Sequence, residues 1–428
     1  MESIVLSALN TSSFSSSLDS LYKLQRHGIK LGLEHTHRLL GFLGNPQKKL
    51  TMIHVAGTNG KGSTCAFLES IFRATGKKVG LYTSPHLVRF NERIKVDGVP
   101  IKDSEIVAFL KHAENEIVDI ESTFFETTTA MALDYFNQCK VDIAIIETGL
   151  GGRLDSTNVI KPILSVITKV SLDHMDILGN DLNSIAKEKA GIIKNSIPVI
   201  IAQQTLEVEK ILSMTADKKN TTIVKVETPV NIIVKPDGTT FVYKNKNYYS
   251  ALIGEHQAFN AVLAIECVKQ FYTTVPEQSI KNGLKNVIWP GRIQVLHERL
   301  IYDVGHNSDG IKMLLKSIKK MFNNQPLYGL LCLKGDKNIR QVGKEIANQF
   351  NRLFISSDKK GSLLSSNELS ELLISEGIKN TQIDSVSNGI KKLNECIKDN
   401  GIAIIFGTHY IAGEVYEEIG NSFDRVIN

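Results

Sequence analysis

Two hydrophobic rhythms alternate along this chain. Short runs of β-prone residues, such as Met52-Ile53-His54-Val55-Ala56 and the stretch from Val141 to Glu147, are separated by segments whose apolar positions recur at helical spacing. The pattern predicts strands at residues 52–56, 79–82, 141–147, 163–168 and 198–202, and helices over 104–119, 127–139, 184–194, 255–272 and 276–287. Upstream, Leu21, Leu24, Leu31, Leu39, Leu40 and Leu43 give residues 18–43 a helical period broken around Gly28. The Ser-rich residues 1–17 are expected to fray at their start. In residues 239–251, Phe241-Val242-Tyr243 and Tyr248-Tyr249 flank a polar turn, which predicts a hairpin on the margin of the sheet.

Trp289-Pro290-Gly291-Arg292 interrupts the pattern, and the domain boundary is placed there, dividing the chain into residues 1–289 and 290–428. Beyond it a second series begins, with strands expected at 300–304, 327–333, 352–356, 381–386 and 402–407. Helices over 309–322, 339–350, 366–376 and 387–398 lie between them. Fully apolar strands alternating with amphipathic helices indicate parallel sheets covered on both faces. The expected fold class is therefore α/β, with a P-loop-type nucleotide-binding domain followed by a smaller doubly wound domain.

Composition adds bounds. The 428 residues are 42% hydrophobic and 22% charged, within the globular range, and a net charge of +5 makes no separate case for nucleic acid. Five scattered cysteines lack metal-ligand or CxxC spacing and read as thiols in a reducing compartment. No apolar run approaches the roughly 20 residues that span a bilayer, so a cytoplasmic protein without membrane partners is expected.

The chemistry concentrates after the first strand. Gly57-Thr58-Asn59-Gly60-Lys61-Gly62-Ser63 turns from strand to helix, with Phe67, Leu68, Ile71 and Phe72 on one helical face and Gly76 as the stop. Such a turn aims backbone N–H groups and a helix N-terminus at one point, which suits a polyphosphate. Lys61 adds charge for the phosphates, and the Ser63 hydroxyl can reach a phosphate or its Mg²⁺. The spacing departs from GxxxxGK[ST], so an ordinary turn with an exposed lysine is the alternative. Ser84, Glu147 and His174 also fall at or just past strand ends, where ligands of parallel sheets gather.

Nine motifs, taken together, resemble the folylpolyglutamate synthase/dihydrofolate synthase family of Mur-related ADP-forming ligases. They are LGLEHTHRLL at 31–40, HVAGTNGKGS at 54–63, YTSPHLVRFNERI at 82–94, ETGLGGRLDSTN at 147–158, SLDHMDILG at 171–179, KEKAGIIK at 187–194, GEHQAFNA at 254–261, WPGR at 289–292 and YDVGHN at 302–307. The resemblance implies a Rossmann-like C-terminal domain, a monomer, and ATP-dependent ligation of L-glutamate to a folate or dihydropteroate through an acyl phosphate.

It also implies roles. Gly57 to Ser63, Asn260, Arg292 and Asp303 match nucleotide contacts, and Ser84, Glu147 and His174 match ligands of Mg²⁺, for which Mn²⁺ is a substitute. Asp303, His306 and Thr408 fall where the family binds glutamate, with Val304 and Thr408 standing where Ala and Ser are more usual. Ile29, Lys30, Leu31 and the segment Phe124-Phe125-Glu126-Thr127-Thr128 fall on the pteroate side, with Thr127 and Thr128 its expected contacts. Lys189 matches a lysine carbamylated in many members, and the family commonly uses a monovalent cation such as K⁺. Lys61, Lys189 and His306 are the expected catalytic residues.

Each residue also has a plainer reading. Ser84 could cap the turn before Pro85, Glu147 could form an ion pair at the sheet end, His174 could be a loop histidine, Arg292 could pair at the hinge, and Lys189 could lie on a helix surface. Members acting on dihydropteroate frequently carry an acid at the Lys30 position, so whether both reactions occur stays open. A Mur-type ligase with a UDP-linked substrate would be expected to carry a further N-terminal domain, and only about 50 residues precede the loop. A nucleotide switch without ligase activity would give Asp303, His306 and Lys189 no role.

Overall fold

The computed structural model describes residues 14–27, 32–272, 275–297, 299–323, 325–398, 400–420 and 423. The first sheet has eight strands: β1 (Met52–Ala56), β2 (Val79–Tyr82), β3 (Ile94–Val96), β4 (Val99–Pro100), β5 (Ile143–Glu147), β6 (Leu164–Ile167), β7 (Val199–Ile201) and β8 (Ile223–Lys225). Their spatial order is β4-β3-β2-β5-β1-β6-β7-β8. β2, β5, β1, β6, β7 and β8 run parallel, and β3 and β4 add an antiparallel margin.

Strand alternation explains the two covered faces. Ile53, Val55, Ile143 and Ile145 pack beneath the helices Lys61–Ala74, Glu255–Phe271 and Glu277–Asn286. Their neighbours Met52, Ala144 and Ile146 point the other way, into the core under Glu34–Phe42, Asp103–Asp119 and Phe124–Gln138. With both faces buried, every position of β1 and β5 is apolar or enclosed, which is why these strands stood out as continuous runs.

The hairpin is not on the margin of that sheet. β10 (Gly238–Tyr243) and β11 (Lys246–Ser250) join β9 (Val230–Lys235) in a separate three-stranded antiparallel sheet. Its aromatic residues Phe241, Tyr243 and Tyr248 close one core from the side. The helix Leu206–Lys218 and the short strands β3, β4 and β8 were also missed, because runs this short or this polar carry little periodicity.

A second sheet comprises β12 (Gln294–His297), β13 (Leu300–Asp303), β14 (Leu327–Leu331), β15 (Arg352–Ile355), β16 (Thr381–Gln382) and β17 (Ile402–Phe406), in the order β12-β13-β17-β14-β15-β16. All but β12 run parallel. Ile301, Leu331 and Ile404 face one core; Leu300, Tyr302, Leu330 and Ile405 face another. The carboxyl ends of both sheets' parallel strands open toward the same cleft, and this arrangement builds the site.

Candidate active site between the two sheets

A cavity of about 700 Å³ lies where the strand ends meet. The first sheet contributes Ser84 after β2, Glu147 at the end of β5, and His174 in the loop that leaves β6. The second contributes His306 after β13, Lys334 and Lys337 after β14, and Thr408 after β17. Arg292, in the crossing segment, lines it as well.

The glycine loop follows β1 and forms part of this wall through Gly62. Gly60 has φ 91°, a left-handed conformation that favours glycine, and its missing side chain leaves room for the Asn260 amide. A Cβ on Gly62 would lie 2.7 Å from the Trp289 ring, so the loop packs directly against the crossing segment. The Thr58 and Asn59 amides are already engaged by the Lys169 carbonyl, at 2.9 and 3.2 Å. The helix's first turn, at Lys61, Gly62 and Ser63, offers N–H groups that an α-helix leaves open. Lys61 Nζ folds back onto the carbonyls of Gly57 and Thr58, at 3.2 and 3.4 Å. The Ser63 hydroxyl accepts from Gln257 Nε2 at 3.3 Å, and Gln257 in turn accepts from Asn260 Nδ2 at 3.1 Å. Gln257, fully buried, was overlooked although it is the fourth residue of the quoted motif GEHQAFNA.

Glu147 is 3% exposed and accepts the Ser84 backbone N–H at 3.1 Å. Burial pushes its carboxyl up to about 7, against the pull of Lys61, Ser84, Arg292 and Arg93. His174 has φ 49°, an uncommon backbone state for a residue with a side chain. Burial lowers its imidazole to about 4, which leaves a neutral ring able to donate a lone pair. It lines the same cavity without a described hydrogen bond to Ser84 or Glu147. Among the described residues no three His, Cys, Asp or Glu side chains cluster as a metal site would. A divalent ion here would rest on one carboxylate, one imidazole and the Ser84 hydroxyl, completed by phosphate and water oxygens. That partial protein donor set fits Mg²⁺.

Lys189 is 4% exposed, so the surface reading fails. Its Nζ donates to the Gly57 carbonyl at 2.8 Å. Burial, then the charge of Lys61, lowers its pKa to about 7.

Across the cleft, Asp303 braces the crossing segment, accepting from Ile293 N at 2.8 Å and Gly305 N at 2.7 Å. Arg292 reaches the Gly291 carbonyl at 3.3 Å and has no described ion pair. His306 is held through Nδ1 by the Val304 carbonyl at 3.0 Å, with Nε2 3.5 Å from Asp173. Thr408 Oγ1 accepts from Tyr410 N at 3.1 Å. Asp173, unassigned from sequence, also pairs with Lys337 at 3.2 Å. Burial would raise its carboxyl, but His306, His174 and Lys337 outweigh that and hold it well below the usual carboxylate range.

The pteroate-side expectations fare differently. Ile29, Lys30 and Leu31 lie outside the described residues. Thr127 and Thr128 are fully buried and absent from the cavity wall. Thr127 bonds Ser122 Oγ at 2.9 Å, and Thr128 lies 2.9 Å from Tyr82 Oη. Phe124, Phe125 and Glu126 of the same segment, with Thr123 before it, line the wall. The helix begins at Phe124, three residues before the expected start, because Thr123 and Glu126 form a reciprocal capping box. That T-x-x-E signal was readable in the sequence and was passed over.

Residues 55–268 match the Mur ligase middle domain. The chain is 36% identical over 342 residues to the dihydrofolate synthase/folylpolyglutamate synthase of Bacillus subtilis, covering 75% of this chain and 80% of that one. The chain belongs to this family. The folylpolyglutamate synthase of Lacticaseibacillus casei is 34% identical over 338 residues, covering 74% of this chain and 79% of that one. A Mycobacterium tuberculosis folylpolyglutamate synthase complexed with ADP and AMPPCP superposes with a TM-score of 0.88 at 28% identity, covering 96% of this chain and 100% of that one. E. coli FolC in complex with DHPP and ADP gives 0.87 at 31% identity, covering 96% and 98%. The folylpolyglutamate synthase/dihydrofolate synthase fold thus extends across both sheets, and the enzyme is an ADP-forming ligase that uses ATP. Among the described residues no helix is long and apolar enough to cross a membrane.

Proposed function

We propose that this ligase joins the amine of L-glutamate to the carboxylate of a folate, and that dihydropteroate is its second acceptor. The observation that carries the reading is one shared cavity, lined by Gly62, Ser84, Glu147 and His174 and by Arg292, His306 and Thr408. In this reading residues 1–289 are the nucleotide-binding part and 290–428 the glutamate-ligase part.

A carboxylate is a poor electrophile, because its charge repels the amine and oxide is a bad leaving group. Transfer of the γ-phosphoryl group to a carboxylate oxygen releases ADP and removes both obstacles. The glutamate amine then attacks the acyl carbon, loses a proton, and the tetrahedral intermediate expels phosphate. Two anions must approach, so the protein's work is positioning and charge neutralisation. Lys61 leaves the loop carbonyls for the phosphates, which the amides of Lys61, Gly62 and Ser63 also hold. Gly57, Thr58, Asn59 and Gly60 shape the loop, and Asn260 and Arg292 complete the nucleotide site. Asp303 keeps lone pairs beyond its two amide bonds for nucleotide or glutamate. His306 and Thr408 receive glutamate.

Glu147, His174 and Ser84 are the residues that would hold Mg²⁺ or Mn²⁺, which when bound neutralises charge on the transferring phosphoryl group. Lys189 is the carbamylation candidate: a neutral amine adds to CO₂ and gives up a proton, leaving an anion beside the loop. A monovalent cation such as K⁺ would balance that charge. The reading takes the enzyme as a cytoplasmic monomer, where its five cysteine thiols stay reduced.

The test is ADP release with and without glutamate and acceptor, with mass spectrometry of products from dihydropteroate and tetrahydrofolate offered separately. Release that needs both co-substrates, with a product one glutamyl unit heavier, supports the ligase. Release indifferent to both would favour the nucleotide switch.

A further inference from the structure

Lys95 is the middle residue of β3. Its neighbours Ile94 and Val96 pack into the core under Phe124–Gln138, so strand alternation turns Lys95 to the opposite face. There it pairs across from Leu81 of β2, a member of the core beneath the helix Lys61–Ala74. The residue is only 8% exposed and lines the cavity. Its ammonium has no described hydrogen bond or ion pair. The two acids whose charge it feels, Glu92 and Glu69, are engaged elsewhere. Glu69 pairs with Arg73 at 3.2 Å. Glu92 accepts the backbone N–H groups of Leu87 and Val88, at 2.9 and 2.7 Å, and that of Arg89.

What the ammonium does meet is an aromatic face. Nζ lies 5.8 Å from the centroid of the Trp289 ring, within the reach of a cation–π contact. Trp289 opens the crossing segment and is the only tryptophan in the chain. The same ring packs on the glycine loop, since a Cβ on Gly62 would lie 2.7 Å from Cζ2 and 3.1 Å from Nε1. Gly62 therefore rests on the indole, and the indole rests on Lys95. Three residues beyond Trp289, the same segment delivers Arg292 to the cavity. A desolvated charge without a counter-charge is costly, so stability alone gives no reason for a cation at this position.

Resting on the assignment of the glycine loop to the nucleotide, we infer that Lys95 is a positioning residue for that site. Its ammonium holds the Trp289 ring against Gly62, and so fixes the first turn of the helix relative to the crossing segment. In this role it touches neither nucleotide nor acceptor. A methionine at position 95 fills similar space but leaves the indole free to tilt. The loop amides and Arg292 then lose their common alignment on the phosphates, which is what a preorganised site supplies.

The experiment reads Trp289 directly, because no other tryptophan contributes to the emission. In nucleotide-free protein, Lys95→Met should raise acrylamide quenching of the indole by about twofold, as a side chain released from its contact opens to solvent. The same variant should weaken equilibrium ADP binding, measured by calorimetry, by about 3- to 30-fold, the fold-change that matches a desolvated cation–π contact. Lys95→Arg keeps a cation that stacks on the ring and should recover most of both losses. Trp289→Leu removes the aromatic face, and adding Lys95→Met to it should cost less than about twofold more. Losses that multiply in the double variant would make Lys95 a direct ligand of the nucleotide. Quenching unchanged in Lys95→Met would separate the lysine from the indole. Either result overturns the inference, as does a folded arginine variant that recovers neither loss. If Lys95→Arg fails to fold, Lys95→Met and the double variant carry the test. The loop assignment fails separately, through a Lys61→Ala variant that binds ADP as wild type does while quenching still responds to Lys95→Met.

Discussion

The side-chain amides of Asn59 and Asn307 face each other across the cleft. Asn307 Nδ2 donates to Asn59 Oδ1 at 3.1 Å, and Asn59 Nδ2 returns a longer contact of 3.4 Å. One residue belongs to the glycine loop and the other follows β13, so the pair ties the loop to the second sheet. Asn307 Nδ2 also donates to Asp173 at 3.0 Å, and its Oδ1 caps the helix Ser308–Met321 through Gly310 N at 2.8 Å.

Asn307→Ser retains a capping oxygen but removes the amide donor. We expect stability to change little while the KM for ATP rises several-fold. A double-mutant cycle with Asn59→Ala should show coupling of about 0.5–1.5 kcal/mol in nucleotide binding. Additive single effects would mean that the pair transmits nothing.

Lys61 contacts only loop carbonyls among the described residues, so the core does not depend on it. Lys61→Ala should lower kcat/KM by about 10²-fold or more, as removal of a donor to developing charge does elsewhere, with an unchanged melting temperature. Ser63→Ala should weaken Mg-ATP use more mildly. A folded Lys61→Ala variant with near-normal turnover would remove the loop from the phosphate site.

Glu147→Gln and His174→Ala should each shift the Mg²⁺ activation curve to higher concentration by about tenfold or more, since even outer-shell changes cost that much at metal sites. Metal titrations of purified variants check this. Curves that overlay the parent's would show that neither side chain is a ligand.

Lys189 is expected to link activity to CO₂ and pH. Its pKa is depressed from 10.5 to about 7, so the ammonium predominates below pH 7 and the neutral amine above it. Only the amine adds to CO₂, so enzyme depleted of CO₂ should regain activity with bicarbonate more fully at pH 8 than at pH 6. Among variants, Lys189→Glu should outperform Lys189→Ala and Lys189→Arg. An arginine variant that beats glutamate would assign the position to a plain cation.

The strands and the glycine turn were legible because their signals are local. Met52 to Ala56 and Ile143 to Glu147 are short apolar runs ended by a turn or a charge, and such runs mark strands buried on both faces wherever the chain later places them. Gly57, Gly60 and Lys61 marked the strand-to-helix turn for the same reason: turn, helix start and cation lie within a few bonds of one another. What spacing could not convey was which side chain meets which across the fold. Lys189 reads equally as a surface or a buried lysine until Gly57 closes over it. Thr127 and Thr128 fall on the buried side because the Thr123–Glu126 box starts the helix early, which turns Thr123 to Glu126 toward the cavity. The hairpin of β10 and β11 needed β9 to complete its sheet, and β9's largely exposed pattern gives no sign of that partner. Lys95 looked like one more charge after YTSPHLVRFNERI. Only the tertiary structure turns it inward across from Leu81 and sets its ammonium over Trp289, because burial and pairing depend on contacts between distant segments that local periodicity does not encode.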